Sequence, residues 1–335
     1  VDATVNLRER WKPGWGASVL SWVLTLVLMA GGCQPQSVPA SGAPVTAAAD
    51  QAPPPEQTGG FDGNRALAHV AELVRFGPRI PGTEAARRAQ AYIRQQLESY
   101  GCAVEEFPFT AQTPLGPVPM KNILVRIAGR TPDALLLLTH YDTKRTPPGF
   151  LGANDGGSST GLMLEMARLL CPTSQPAGSA PRALSVWIAF LDGEEAQVEW
   201  TESDSLYGSR ELAARLALRG ELERVRAVIL ADMVGDRELR FLRELNSTDW
   251  LVDLVWDVAE RLGYGHIFVN ETHAIEDDHL PFVRRGIPAV DIVEVGEYPY
   301  WHTREDTLDK LSARSLAITG HVILESLAVL EQRLR

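Results

Sequence analysis

The chain holds 3 cysteines in 335 residues, which excludes a disulfide-built scaffold and a zinc site made of four thiolates. It also lacks any excess of positive charge. Lys and Arg number 32 against 43 Asp and Glu, a formal net charge of -11. A protein that holds nucleic acid by displacing counterions from phosphates needs the opposite balance, so no nucleic acid is expected among its partners. Internal repeats are absent. The apolar run at 17–30 falls short of the roughly 20 residues that span a bilayer. What is abundant is ordinary globular material: 45% hydrophobic and 22% charged residues.

The first segment reads as an address. Arg8, Arg10 and Lys12 precede the short apolar run, the pattern of a signal peptide. The run closes on Ala30-Gly31-Gly32-Cys33, which resembles a bacterial lipoprotein cleavage site with Cys33 as the lipidated residue. Residues 1–33 are therefore expected to be a lipoprotein-type signal that tethers the protein to a membrane of the cell envelope. Residues 34–60 are Pro-, Ala-, Ser-, Gln- and Gly-rich, and are expected to form a disordered spacer. Residues 61–335 are expected to be one catalytic domain.

Within that domain helical and strand patterns alternate. Apolar spacing predicts helices at 66–76, 84–100, 156–170, 209–218, 251–262 and 312–334. Short apolar runs predict strands at 120–127, 134–139, 184–191, 225–231 and 289–293. Continuous apolar strands alternating with amphipathic helices imply an α/β fold, with a mostly parallel mixed sheet covered by helices on both faces.

Ligands of open α/β sheets bind at the carboxyl ends of strands, and polar residues gather there in this chain. They include His140-Tyr141-Asp142, Gly152-Ala153-Asn154-Asp155, Asp192-Gly193-Glu194-Glu195, Asp232-Met233, Asp277-Asp278-His279 and Trp301-His302-Thr303. Any one alone is what a helix cap or a solvated loop residue looks like; the series points to a site. Asp155, Glu195 and His302 supply the nitrogen and carboxylate ligands of a catalytic zinc, with a position left for substrate. Glu194, at the mouth of the apolar run 186–191, is placed to move protons beside it.

This set of motifs resembles the zinc-dependent M28 peptidase clan and, within it, the glutaminyl-peptide cyclotransferases (glutaminyl cyclases), over residues 61–330. The cyclase branch is favoured by Trp200 followed by the run 204–210, by the stretch 277–288, and by Trp301-His302-Thr303 with Glu305-Asp306-Thr307-Leu308-Asp309 after it. The resemblance implies a zinc aminopeptidase-like (phosphorylase/hydrolase-like) fold and one zinc ion on Asp155, Glu195 and His302. It implies Glu194 as general acid/base, Asp232 and Asp277 as a hydrogen-bonded carboxylate pair beside it, and Trp200 and Trp301 as pocket walls. The implied reaction closes the N-terminal glutamine of a peptide or protein to pyroglutamate and releases ammonia. A monomer that meets the membrane only through its lipid is expected.

His140 and Asp232 are also the residue types that hold a second zinc in the aminopeptidases, so a di-zinc aminopeptidase is the alternative reading. A binding ectodomain that has lost its chemistry is a third, and the intact acidic set tells against it. The sequence departs from animal cyclases at Thr139, where no cysteine flanks His140, at Asp291 in place of a histidine, and at Glu297 in place of an aromatic residue. Cys102 and Cys171 are either buried thiols or a bridged pair.

Overall fold

The computed structural model of the chain describes residues 51–171, 181–296 and 298–334. The 17–30 run, Cys33 and Glu297 lie outside the described residues. Two helices lead, α1 (Gly63–Arg75) and α2 (Glu84–Ser99). Both start where the sequence provides an acceptor for the free amides of a first helical turn. The Asp62 carboxylate accepts from the N–H groups of Asn64 and Arg65, and the Thr83 hydroxyl accepts from that of Ala86. The hairpin β1 (Val104–Thr113) and β2 (Gly116–Ile127) follows. Then come β3 (Ala134–His140), α3 (Ser159–Leu170), β4 (Ser185–Leu191), α4 (Tyr207–Leu218) and β5 (Val225–Asp232). The chain continues through β6 (Phe241–Glu244), α5 (Asp249–Arg261), β7 (Phe268–His273), α6 (Leu280–Val283), β8 (Ala289–Val293) and α7 (Ala313–Arg333).

The main sheet has the order β1-β2-β4-β3-β5-β8. Strands β4, β3, β5 and β8 are mutually parallel, and the hairpin joins β4 antiparallel. Every residue of β3 and β4 is buried, as strands covered on both faces must be. Alternate residues enter different cores. Leu135, Leu137, Val186 and Ile188 pack with residues of α1, α2, α3, α5 and α7. Leu136, Leu138, Trp187 and Ala189 pack with residues of α4 and α6. Each large aliphatic side chain so buried contributes on the order of 2 kcal/mol. Helices α1 and α3 cross so closely that a Cβ on Gly161 would lie 2.6 Å from the Ala66 carbonyl oxygen. By composition α7 could span a bilayer, but it is a core helix, with 67% of its apolar stretch buried.

The structure departs from the sequence expectations in particular places. The helix expected from residue 156 becomes regular only at Ser159. Residues Ala153–Ser158 form a wide, broken turn, with Asp155 at ψ 107° and Gly156 at φ +69°. The reason is that the Asp306 carboxylate takes the amides of Asn154 and Asp155. Residues 55–60, expected to belong to the spacer, are folded: Pro55–Gln57 form a 3-10 turn. Thr58 is buried and donates to the carbonyl of Phe61, itself fully buried. Cys102 and Cys171 are joined, their Cα atoms 5.4 Å apart.

Strand β3 lies between β4 and β5, so the chain leaves it first toward one side of the sheet and later toward the other. That reversal opens a crevice at the carboxyl ends of the strands.

Candidate active site

Three connections meet in that crevice. The broken turn before α3 carries Asp155, the loop after β4 carries Glu194 and Glu195, and the loop after β8 carries His302. Buried carboxylates fix the first two. Asp142, just past β3, accepts from the N–H groups of Glu194 (3.1 Å) and Glu195 (3.3 Å). Asp306 accepts from Asn154 (2.8 Å) and Asp155 (3.1 Å), and also from the Tyr298 hydroxyl. His302 sits at φ +55°, a left-handed conformation that a non-glycine residue holds only where its surroundings impose it.

His302 Nε2 lies 3.3 Å from Asp155 Oδ2 and 3.2 Å from Glu195 Oε1. One ligand atom from each of these residues falls within 4.8 Å of the others. Asp155 Oδ2 and both oxygens of Glu195 are buried and accept no hydrogen bond. Burial would raise the Asp155 carboxyl, but His140 and His302 outweigh it and hold it well below the usual range. Burial would lower His302, yet Asp155 and Glu195 bring it up to about 9. Orphaned buried oxygens facing one imidazole are a donor set that fits a divalent cation such as zinc.

A second trio shares Asp155. His140 Nε2 is 3.4 Å from Asp155 Oδ1 and 3.1 Å from Asp232 Oδ1. These residues also bring ligand atoms within 4.8 Å of one another.

Glu194, Asp232 and Asp277 line the same cavity as the first trio. Burial pushes the Glu194 carboxyl well above its ordinary range, with Asp277 and Glu195 adding to it against His140. Asp232 and Asp277, the expected carboxylate pair, line one cavity, and each also has other partners. Asp232 accepts from the amide of Gly156 and pairs with His140. Asp291, on β8, is fully buried, and burial together with the charge of Asp277 pushes its carboxyl well up. Asp232 acts on Asp277 through its charge, which with burial pushes Asp277 well up.

The cavity measures about 460 Å³. Trp200, Trp301, Met233, Ile275 and Lys144 line it. Trp200 Nε1 donates to Glu276 Oε2 at 3.0 Å. The Trp301 ring lies 4.5 Å from that of His302 and is 38% exposed.

The model of peptidase family M28 matches residues 122–327, more than half of the chain. The chain belongs to peptidase family M28. Among curated relatives, this M28 chain is 34% identical over 271 residues to the glutaminyl-peptide cyclotransferase of Bothrops jararaca, covering 71% of this chain and 73% of the relative. Among solved structures it is similar to an Acidobacteriales bacterium glutaminyl cyclase, at 37% identity and a TM-score of 0.76, over 89% of this chain and 99% of the other. The Porphyromonas gingivalis glutaminyl cyclase is 31% identical with a TM-score of 0.73, over 80% of this chain and 98% of the other.

Every candidate singled out in the M28 sequence lies in or against the crevice: Asp155, Glu194, Glu195, Trp200, Asp232, Asp277, Trp301 and His302 around the cavity, and His140 behind it. Sequence reasoning gave no role to Asp142 and Asp306, which hold the loops, or to Asp291, whose buried carboxyl feels the charge of Asp277. Asp142 and Asp306 did lie inside the quoted motifs. Asp291 sat inside an apolar strand with only its departure from the animal cyclases to mark it. Glu276, on the indole of Trp200, carried no signal.

Proposed function

We propose that this chain is a metal-dependent glutaminyl-peptide cyclotransferase, converting the N-terminal glutamine of peptides and proteins to pyroglutamate. The observation that carries the reading is one cavity holding the Asp155, Glu195 and His302 trio, the buried Glu194 and two tryptophans, in a chain whose similar relatives bear that name. In this reading Asp155, Glu195 and His302 hold one zinc ion, which supplies Lewis acidity toward the γ-carbonyl of the bound glutamine.

The remaining work falls to the chain's own side chains. Glutamine brings nucleophile and electrophile in one residue, so binding it in a folded-back shape removes much of the entropic barrier. Trp200 and Trp301 hold that shape and exclude water. As the α-nitrogen bonds to Cδ and the lactam closes, Glu194 takes the proton that the α-amine loses. It returns that proton to the amide nitrogen, which leaves as ammonia. Asp277 lies beside Glu194, and burial together with its charge raises the proton affinity of the Glu194 carboxyl, which suits it to carry that proton.

The His140, Asp155 and Asp232 trio supports a second reading, a di-zinc aminopeptidase. One experiment separates the two: ammonia release from a Gln-initiated dipeptide, run beside elemental analysis. Ammonia with one zinc per chain is the expected result. Free amino acids from a Leu-initiated peptide, with two zinc ions per chain and no ammonia, would establish the hydrolase.

We extend the proposal to organisation and place. Residues 1–33 act as a lipoprotein-type signal, 34 onward as a spacer that ends before the turn at Pro55, and the rest as a monomeric catalytic domain at the cell envelope. The basic lead, the short apolar run and Cys33 support this.

A further inference from the structure

Arginine is among the costliest side chains to bury, and one that is fully enclosed has to be held by strong acceptors. Arg79, in the connection between α1 and α2, has no exposed surface. Nε donates to the carbonyl oxygen of Tyr141 at 2.7 Å, Nη1 to that of Leu151 at 2.7 Å and Nη2 to that of Gly152 at 2.8 Å. Tyr141 lies between His140 and Asp142, at the end of β3. Leu151 and Gly152 lead into the turn that carries Asp155. The guanidinium therefore joins two segments that meet in the candidate site and are otherwise separated by the loop 143–150. The fit is close: a Cβ on Gly152 would come within 3.3 Å of Nη2.

The charge is placed as deliberately as the donors. Burial draws the Arg79 guanidinium down to about 10, while Asp306, Asp142 and Asp155 draw it up, so it remains a cation at neutral pH. Asp306 grips the amides of Asn154 and Asp155, and Asp142 grips those of Glu194 and Glu195. Arg79 grips the carbonyl next to Asp142 and the two that lead into the Asp155 turn, and its charge offsets both anions.

We propose that Arg79 is a positioning residue, whose planar fork sets the spacing between the His140–Asp142 strand end and the Asp155 turn and thereby the affinity of the trio for its metal. The metal part rests on the reading given under Proposed function; the spacing part does not. A lysine keeps the charge but is a point donor on a flexible stem, without the fork that reaches three separate carbonyls.

The test compares the full chain with Arg79→Lys and with Leu330→Ala, a truncation in the buried face of α7 remote from the crevice. Hydrogen exchange at 141–155 should quicken in Arg79→Lys and not in Leu330→Ala, a readout that needs neither metal nor turnover. Zinc affinity, measured by chelator competition, should fall about ten- to a hundredfold in Arg79→Lys and stay unchanged in Leu330→Ala, although both melt earlier. Unchanged exchange at 141–155, or zinc affinity that simply follows melting temperature in both variants, would overturn the proposal. Should Arg79→Lys fail to fold, Arg79→Ala refolded with methylguanidinium is expected to regain protection and zinc affinity where methylammonium restores neither. Equal rescue by both cations, or by neither, counts against it.

Discussion

Glu194 and Glu195 are chemically identical neighbours, and the fold points them at different partners. Glu195 turns its oxygens toward His302 and Lys144, and accepts no hydrogen bond that would compete with a cation. Glu194 is pushed well above the ordinary carboxylate range, first by burial. A carboxyl whose proton affinity is raised is suited to shuttling a proton and poor at ligation. Glu194→Gln should therefore keep its metal and lose turnover by about 10²–10⁴-fold, the usual worth of a positioned acid/base. His302→Ala should lose the metal itself. Elemental analysis beside the ammonia assay checks both, and full activity in Glu194→Gln would remove its role. The positions of these residues at the crevice were legible because each ends an apolar run or sits in a loop that follows one. Asp291 was not, because the groups it faces, His279 and Asp277, come near it only in the fold.

The contact between α1 and α2 contains a histidine kept neutral. His69 Nδ1 is 2.7 Å from the Tyr92 hydroxyl and Nε2 is 3.0 Å from that of Tyr100. Burial lowers it to about 4, helped by the positive charges of Arg65 and Arg168. The unfolded chain binds a proton there near pH 6.5, whereas the folded chain resists until about pH 4. His69 thus leaves stability intact above about pH 6.5 and erodes it as pH falls toward 4, at up to about 1.4 kcal/mol per pH unit. Urea unfolding of the parent and His69→Gln across that window should show a gap that closes on acidification; parallel curves would contradict it. Elements buried on both faces were readable from sequence, β3, β4, β5 and β8 above all. Strand β1 was not. It is the sheet edge, carries Glu105, Glu106 and Pro108, and buries only part of its length; edge strands tolerate proline and charge. In β7, Asn270, Glu271 and Thr272 are exposed, so no apolar pattern marked it.

At the scale of the whole molecule, the disulfide closes a loop of 69 residues that takes in the hairpin, β3 and α3. Restricting so long a segment of the unfolded chain is worth about 2–5 kcal/mol. The double variant Cys102→Ser, Cys171→Ser should lose about that much in a denaturant titration while retaining its metal, since neither cysteine is part of the trio. A double variant as stable as the parent would show the bridge to be idle. The trio itself is scattered along the chain: Asp155 precedes β4, Glu195 follows it, and His302 waits for β8. A nascent polypeptide emerging from the ribosome thus displays two carboxylates long before the imidazole that completes the set exists. Capture of the ion would then be a post-synthetic event, the last stage of maturation, and an enzyme halted short of its final strand would remain inert toward any glutamine it met.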